Sequence, residues 1–235
     1  MVQLCGADSI QMMRSTSITT IVVTSILFCL DGEAIFAQAD STKRSDVERF
    51  AEGVYHNLSS PLRWKKTDWA TTAVVIGSTA VISVFDEPLN TLSQGKQHPF
   101  LDAANNVGYA YGSPYSGIIV TGGFYLTGLA IKNEWARETG LALGTAFTTS
   151  TLLISVLKPI LGRARPGNET GSYDFNPFSK EPKFHSLPSG HAVIAYTLSF
   201  VLAKRINNKP LKILFYTLAA STAFCRLYSN AHWLS

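Results

Sequence analysis

Uncharged apolar runs alternate with short polar segments along most of the chain. Five such runs cover residues 69–85, 111–131, 139–157, 187–203 and, interrupted by a single lysine, 211–224. They are too long for ordinary strands, and the first three approach the roughly 20 residues that span a bilayer as a helix. The pattern therefore predicts an all-α bundle of about five apolar helices that cross a membrane. Ser, Thr and Gly dilute these runs, a composition that also suits the buried helices of a soluble bundle.

The first 39 residues have the pattern of an export signal. Arg14 precedes an apolar stretch at 18–30, and Ala-Gln-Ala at 37–39 provides a small-x-small cleavage site. We therefore predict a signal peptide over 1–39, with an uncleaved N-terminal membrane segment as the alternative. Either form places the chain in a membrane or outside the cytosol.

Residues 40–67 form a polar, charged leader to the first apolar run. Within it Val47, Phe50 and Val54 recur at helical spacing, which predicts a short amphipathic helix lying on the membrane surface. A plain linker helix is the alternative.

Composition points to a membrane rather than to nucleic acid. Charged residues make up 15% of the chain and hydrophobic residues 46%, with a mean hydropathy of +0.13, whereas soluble domains carry about 25% charge. The net charge of +4 is modest. Several of the cations gather in a single segment, so no broad basic stripe is left for nucleic acid.

The placement of basic residues predicts an orientation. They lie before the first apolar run (63–66), between the second and third (132–137), and between the fourth and fifth (204–212). In an alternating path these connections share the cytoplasmic side, so the loop after residue 157 faces outward. A cleaved signal peptide predicts the reverse, so either one run does not span or the leader is not cleaved. Tryptophans at run ends fit an interfacial belt, or simple packing: Trp64, Trp69, Trp135 and Trp233.

Chemistry-bearing residues concentrate where the third apolar run ends and the fourth begins. Lys158, Arg163 and Arg165 follow the third run within about two helical turns. Ser189, a cap-type residue, then precedes Gly190 and His191 and an uncharged run, which indicates a helix start. Because one loop joins the two helix ends, both face the same side. A basic cluster opposite a helix N-terminus predicts an anion site.

These residues resemble the signature motifs of the type 2 phosphatidic acid phosphatase (PAP2) and haloperoxidase superfamily. Lys158 to Pro166 resembles the first motif, and Pro-Ser-Gly-His at 188–191 resembles the second. The third motif of that family reads Ser-Arg, five residues, His, three residues, Asp. Here it reads Cys225-Arg226 and then His232, and the Asp is expected immediately after Ser235.

The resemblance implies a fold and an extent. It implies a PAP2-like helical bundle over residues 68–235, with the last helix of the family missing or truncated. Cys225 stands where the family has Ser, so one phosphate-facing hydroxyl is absent, or the position holds a small buried residue.

The resemblance also implies residue roles. His232 attacks phosphorus and carries a phosphohistidine intermediate, Arg226 belongs to the same catalytic group, and His191 protonates the leaving alcohol. The third-motif Asp accepts a hydrogen bond from the other ring nitrogen of His232, so a chain that ends at Ser235 is expected to lose activity. The phosphate-binding residues are Lys158, Arg165, Ser189 and Gly190.

Several residues are left outside these roles. Arg163 is predicted to be a supporting surface cation, and His56, His98 and His185 belong to no motif. No acidic cluster has metal-ligand spacing, so neither a metal nor another cofactor is expected.

The function implied is metal-independent removal of phosphate from a membrane lipid of the phosphatidate, polyprenyl diphosphate or lipid A type, at the extracytoplasmic face of a bacterial inner membrane. The loops 86–111 and 167–184 are expected to select the head group. Alternatives are a soluble exported acid phosphatase, a vanadate-dependent haloperoxidase, and an inactive membrane protein that binds phosphate without turnover. The partners expected are the lipid phosphate and the membrane, and oligomeric state stays open.

Overall fold

A computed structural model describes residues 44–94 and 98–235 of the chain. The signal peptide predicted over 1–39 lies outside these residues. The α-helices, in chain order, are α1 Asp46–Leu58, α2 Lys66–Ile82, α3 Asp86–Gln94, α4 Pro99–Tyr111, α5 Pro114–Ala130, α6 Glu134–Leu161, α7 Gly190–Arg205 and α8 Lys209–Tyr228. Outside them, the described ranges contain short 3₁₀ turns and one isolated β-bridge. The predicted all-α class is confirmed.

Each of the five apolar runs forms a helix, and these are α2, α5, α6, α7 and α8. The amphipathic segment of the leader forms α1, which begins with a capping box between Ser45 and Glu48. The interpretation of 86–111 as a loop was wrong, because α3 and α4 occupy most of it. His98 caps α4 by accepting from the Phe100 amide, and Pro99 opens its first turn.

Helix α7 is the centre of the bundle. Every residue from 192 to 203 is buried, which explains why this stretch of sequence carries no charge. It runs antiparallel to α6, since the Ser150 and Thr197 hydroxyls lie 3.1 Å apart and Arg205 Nε donates to Thr139 Oγ1 over 3.0 Å. On its other side, Ser199 donates to a carbonyl of α8 over 2.7 Å. The order of α6, α7 and α8 brings the end of α6, the start of α7 and the end of α8 to one end of the bundle.

Helix α1 packs along the first half of α6 and runs in the same direction. Arg49 makes two hydrogen bonds to Glu138, at 2.7 and 2.6 Å, and Asn57 Nδ2 donates to Thr149 Oγ1 over 3.4 Å. Helix α1 therefore ends beside the middle of α6. The basic connection at 63–66 follows α1 and so starts near the middle of α6. Lys132 and Arg205 instead lie beside the first turn of α6, at the end of that helix opposite the loop after Leu161. The basic connections at 132–137 and 204–212 therefore lie at the same end of the bundle, whereas the one at 63–66 starts nearer the middle of α6.

Two helical stretches in the described ranges are long and apolar enough to cross a membrane, judged by length and composition. They are Lys66–Gln94, which joins α2 to α3 through a 3₁₀ turn, and α6. The first is largely exposed, with Val74 and Ile76 more than half exposed. The other apolar helices do not meet this test, although the sequence predicted about five spans.

Glycines allow α5 and α6 to approach backbone to backbone. A Cβ on Gly140 would lie 2.5 Å from the Tyr125 amide nitrogen, and one on Gly128 would lie 2.3 Å from the Arg137 amide nitrogen. Neither neighbour can move without displacing a helix. The close packing therefore depends on these two positions having no side chain.

Gly140→Ala should lower the free energy of unfolding by about 1–3 kcal/mol, because the methyl group forces the two helices apart. The matched control is Gly122→Ala on α5, where an added Cβ meets nothing within 4 Å. That change should stabilise the helix by up to about 1 kcal/mol. Thermal unfolding of both variants in one detergent measures the difference. Equal midpoints would contradict the close packing of α5 on α6.

Candidate active site

The end of α6 is shaped by a left-handed glycine. Gly162 has φ 59° and caps the helix, and a Cβ there would lie 1.9 Å from the Asn176 carbonyl oxygen. Its amide donates to the Lys158 carbonyl over 2.9 Å, so the helix stops and the chain turns inward. Lys158 lies in this last turn, and its Nζ donates to the His185 carbonyl over 3.1 Å. The loop thereby folds back over the end of the helix.

Arg163 is not a surface cation, as the sequence had suggested. It is 2% exposed and pairs with the fully buried Asp86, with 2.6 Å between Nη2 and Oδ2. Its side chain also donates to the Ser172 carbonyl and to the Ser235 hydroxyl. A buried guanidinium needs such partners, because desolvation of an unpaired charge costs several kcal/mol. Arg163 therefore has a structural role beneath the site.

Arg165 extends from the loop toward the end of α8. Its amide donates to the Lys183 carbonyl over 2.9 Å, and its Nε donates to the Pro182 carbonyl over 3.2 Å. Burial and, after it, the nearby Arg226 lower the pKa of the Arg165 guanidinium. Two guanidinium groups this close repel each other, which favours an anion between them.

Helix α7 begins opposite Lys158. Ser189 is its N-cap, and its hydroxyl accepts from the Ala192 amide over 3.5 Å, as the sequence predicted. A Cβ on Gly190 would lie 3.9 Å from Lys158 Nζ, so the first turn of α7 faces the ammonium group. The free amides of a helix start and a cation thus converge, an arrangement that binds anions.

The end of α8 places Arg226 and His232 together. The Arg226 carbonyl accepts from the amides of Ala231 and His232, both over 3.1 Å, after a turn at Asn230 with φ 54°. The Arg226 side chain is mostly buried. Cys225 is fully buried and its thiol donates to the Asn105 carbonyl of α4 over 3.2 Å, so this position serves close packing between α4 and α8.

The imidazole of His232 is held by the backbone of the loop. Its Nδ1 makes a hydrogen bond with the Ser186 carbonyl. Because a carbonyl only accepts, Nδ1 carries the proton. Burial, then Lys158 and Arg226, hold the pKa of the ring well below its usual range, so it is neutral and Nε2 keeps its lone pair. The Ser186 carbonyl thereby orients the ring of His232.

His191 lies beside an aromatic residue that the motifs do not include. Its ring packs against Tyr109 of α4 with 4.8 Å between the ring centroids. Its Nε2 is buried and has no hydrogen-bond partner among the described residues. No motif in the sequence marks Tyr109, which precedes the first motif by about 50 residues and lies in a segment predicted as a loop.

The structure brings most of the predicted residues to one end of the bundle. Lys158, Arg165 and Arg226 are close enough to act electrostatically on both His191 and His232. Ser189 and Gly190 begin α7 beside them. Two imidazoles and three cations around a helix start can bind a tetrahedral oxyanion and carry out nucleophilic and acid–base steps on it. Among the described residues, no group of three or more His, Cys, Asp and Glu side chains could hold a metal ion.

The part of the chain that carries the candidate site matches a known protein family. The sequence profile of the PAP2 superfamily matches residues 139–235. The PAP2 resemblance is confirmed over this stretch. The PAP2 region comprises α6 from residue 139 onward, the long loop, α7, α8 and the turn that carries His232, whereas α4 and its Tyr109 precede it.

A curated relative is similar to part of this chain. The chain is 33% identical over 98 residues to a lipid A 1-phosphatase of Rhizobium etli, and the match covers 41% of each chain. The match therefore spans about two fifths of that relative's length. No solved structure matches.

Proposed function

We propose that this protein is a membrane-bound phosphatase that removes phosphate from a lipid, without a metal, through a phosphohistidine on His232. The observation that carries the proposal is the contact between His232 Nδ1 and the Ser186 carbonyl. It leaves Nε2 with a lone pair inside a ring of cations, which is the condition for an imidazole nucleophile. The PAP2 region and the relative that is a lipid A 1-phosphatase support the same class of reaction.

Binding of the phosphate rests on positive charge and helix amides. Lys158, Arg165 and Arg226 neutralise the non-bridging oxygens, and the guanidinium forks match their geometry. The Gly190 amide and the Ser189 hydroxyl add donors from the start of α7. These groups are fixed before the substrate arrives, so they stabilise the charge of the transition state without reorganising.

Two imidazoles divide the chemistry. Nε2 of His232 attacks phosphorus, and the bond to the leaving alcohol breaks as His191 transfers its proton to the departing oxygen. Neutral His191 then takes a proton from water, and the resulting hydroxide attacks the phosphoryl group. The P–N bond breaks, inorganic phosphate leaves, and both rings return to their starting forms. Each step moves one proton through His191, as general acid–base catalysis requires.

The membrane part of the proposal rests on the two apolar stretches. Lys66–Gln94 and α6 are long enough to span, and the first is largely uncovered by the rest of the protein. The site lies at the end of α6 opposite Lys132 and Arg205, so cytoplasmic basic residues would put the site on the extracytoplasmic face. Lipid phosphates of that leaflet are the proposed substrates, and the relative's activity favours a lipid A type.

Phosphate release from a panel of lipid phosphates tests the function. The panel is phosphatidate, undecaprenyl diphosphate and lipid A in detergent micelles, with EDTA throughout. We expect turnover of at least one lipid, unchanged when EDTA is replaced by Mg²⁺, and little hydrolysis of glucose 6-phosphate. Turnover that needs a divalent metal would refute the mechanism.

The same experiment separates the alternatives. Preference for glucose 6-phosphate by detergent-free protein would favour a soluble acid phosphatase. Halide oxidation on addition of vanadate would favour a haloperoxidase. Phosphate binding without any turnover would favour an inactive protein.

A further inference from the structure

We propose that Tyr109 is a positioning residue, whose ring holds the His191 imidazole and the Arg226 guanidinium in fixed relation to each other. The proposal rests on the proposed phosphatase function and adds to its site a side chain from α4, outside the PAP2 region. Neither the motifs nor the stretch that the PAP2 profile matches includes this residue.

Tyr109 contacts both groups directly. Its ring centroid lies 4.8 Å from that of His191 with an interplanar angle of 35°, and 5.7 Å from Cζ of Arg226. The first distance is that of offset ring packing. The second is within the range of a cation–π contact. The Tyr109 ring thus contacts both the proposed acid and one of the proposed phosphate ligands.

The Tyr109 contact matters because no hydrogen bond fixes Nε2 of the His191 ring. Its Nε2 is buried and has no partner among the described residues, so hydrogen bonding at this nitrogen does not fix the ring. Packing against the face of the imidazole therefore contributes to its orientation. A general acid must lie within hydrogen-bond reach of the departing oxygen, and rotation of the ring would remove it from that position.

The backbone of α4 is locked against the site on both sides of Tyr109. A Cβ on Gly108 would lie 2.9 Å from the Ser221 carbonyl oxygen, and one on Gly112 would lie 2.6 Å from the His191 carbonyl oxygen. Thr222 Oγ1 also donates to the Gly108 carbonyl over 2.8 Å. Helix α4 thus touches α8 and the first turn of α7 without intervening side chains. These backbone contacts fix the position of Tyr109 along α4 relative to His191, although Tyr109 itself is half exposed.

The electron-rich face of the ring also favours the protonated form of His191. The pKa of His191 is lowered to about 4, first by burial and then by the charged groups that face the ring, which are Arg226 from α8, Lys158 from α6 and Arg165 from the loop. A phosphate bound among these cations offsets their charge and favours the protonated ring. Tyr109 on α4 is the neighbour that attracts an imidazolium. Loss of the ring should therefore move the basic limb of the kcat profile to lower pH, since the acid form of His191 is lost earlier.

The test compares Tyr109→Leu and Tyr109→Met with Tyr109→Phe in the full chain in detergent micelles, with phosphatidate and lipid A as substrates. We expect kcat to fall about 10- to 100-fold in the Leu and Met variants, because small misplacements of a catalytic group have effects of this size. KM should change less than kcat. The basic limb should shift down in pH, and Tyr109→Phe should restore both. Tyr115→Leu is the control, since Tyr115 is an exposed tyrosine at the start of α5.

The outcomes separate this proposal from the function on which it rests. Leu and Met variants with wild-type kcat and pH profile, in an active enzyme, would overturn the role of Tyr109 alone. A fall in kcat that Phe does not restore would also overturn it, because a hydroxyl contact would then be responsible. A wild-type chain that releases no phosphate from phosphatidate, undecaprenyl diphosphate or lipid A would overturn the proposed function, and this role with it. Circular dichroism of each variant confirms that the helices are intact.

Discussion

Replacing His232 with alanine should lower phosphate release by about 10⁴-fold or more, because loss of a nucleophile typically costs at least this much. The neutral ring, with its Nδ1 proton directed at the Ser186 carbonyl, presents Nε2 as the attacking atom. Alanine removes that atom and leaves water as the nucleophile. Initial rates on the best lipid of the panel, with EDTA present, measure the effect.

A second variant makes the intermediate visible. His191→Asn removes the proton donor, yet p-nitrophenyl phosphate needs none, because nitrophenolate is a good leaving group. The first step should therefore proceed and the second, which needs His191 as a base, should stall. Radiolabelled phosphate should accumulate on the protein in a form that is stable to base and lost in mild acid.

The matched control for both changes is His56→Ala, since His56 lies on α1, away from the site. It should retain wild-type rates. His232→Ala that keeps more than a tenth of the activity, or a label that survives acid, would rule out the phosphohistidine mechanism.

The residues of the site were predictable because each follows a helix boundary that the sequence marks. Lys158 ends an uncharged run, Ser189 caps the next, and Arg226 ends the last. Hydrophobic runs fix where the helices lie, and short connections fix which ends meet. Lys158, Arg165 and Ser189 could therefore be assigned to one end of the bundle from the sequence pattern. Arg226 and His232 joined them through the PAP2 resemblance, and the distances required the structure.

The contacts that hold the two imidazoles were not predictable. The partner of His232 is a backbone carbonyl, a group that every residue has and that no sequence pattern marks. Tyr109 reaches His191 only because two glycines let α4 approach α7 and α8 closely. Such contacts depend on how helices pack, which the local sequence does not encode.

One other prediction failed for a related reason, and the structure decides between the two alternatives left open for Trp233 in favour of packing. Arg163 follows a helix end within a basic cluster, so it was expected at the surface, but its partner Asp86 lies 77 residues earlier in the chain. Trp233 was expected in an interfacial belt or in simple packing, and it is buried with its Nε1 donating to the Ala164 carbonyl over 2.9 Å. Long-range pairing decided the environment of both side chains.

The buried ion pair between Asp86 and Arg163 should contribute strongly to the stability of the fold. Asp86→Ala should lower the free energy of unfolding by about 3–5 kcal/mol, because it leaves a buried guanidinium without its counter-charge. The side-chain exposures of 3% for Arg163 and 0% for Asp86 place the pair in the interior. Glu181→Ala is the control: it breaks an exposed pair with Lys183 and should cost less than about 1 kcal/mol. Thermal unfolding in detergent gives both values.

The double variant Asp86→Leu, Arg163→Met tests whether the ion pair only stabilises the fold or also positions His232. With both charges removed, the apolar pair should recover most of the lost stability. It should not recover activity, because Asp86 also accepts from the Ser235 amide over 2.9 Å and Arg163 Nη1 donates to the Ser235 hydroxyl over 2.6 Å. These bonds hold the segment that carries His232 against α3 and the loop. A double variant that is as stable and as active as wild type would mean that the pair does not position the nucleophile, whereas stability without turnover would assign it that role.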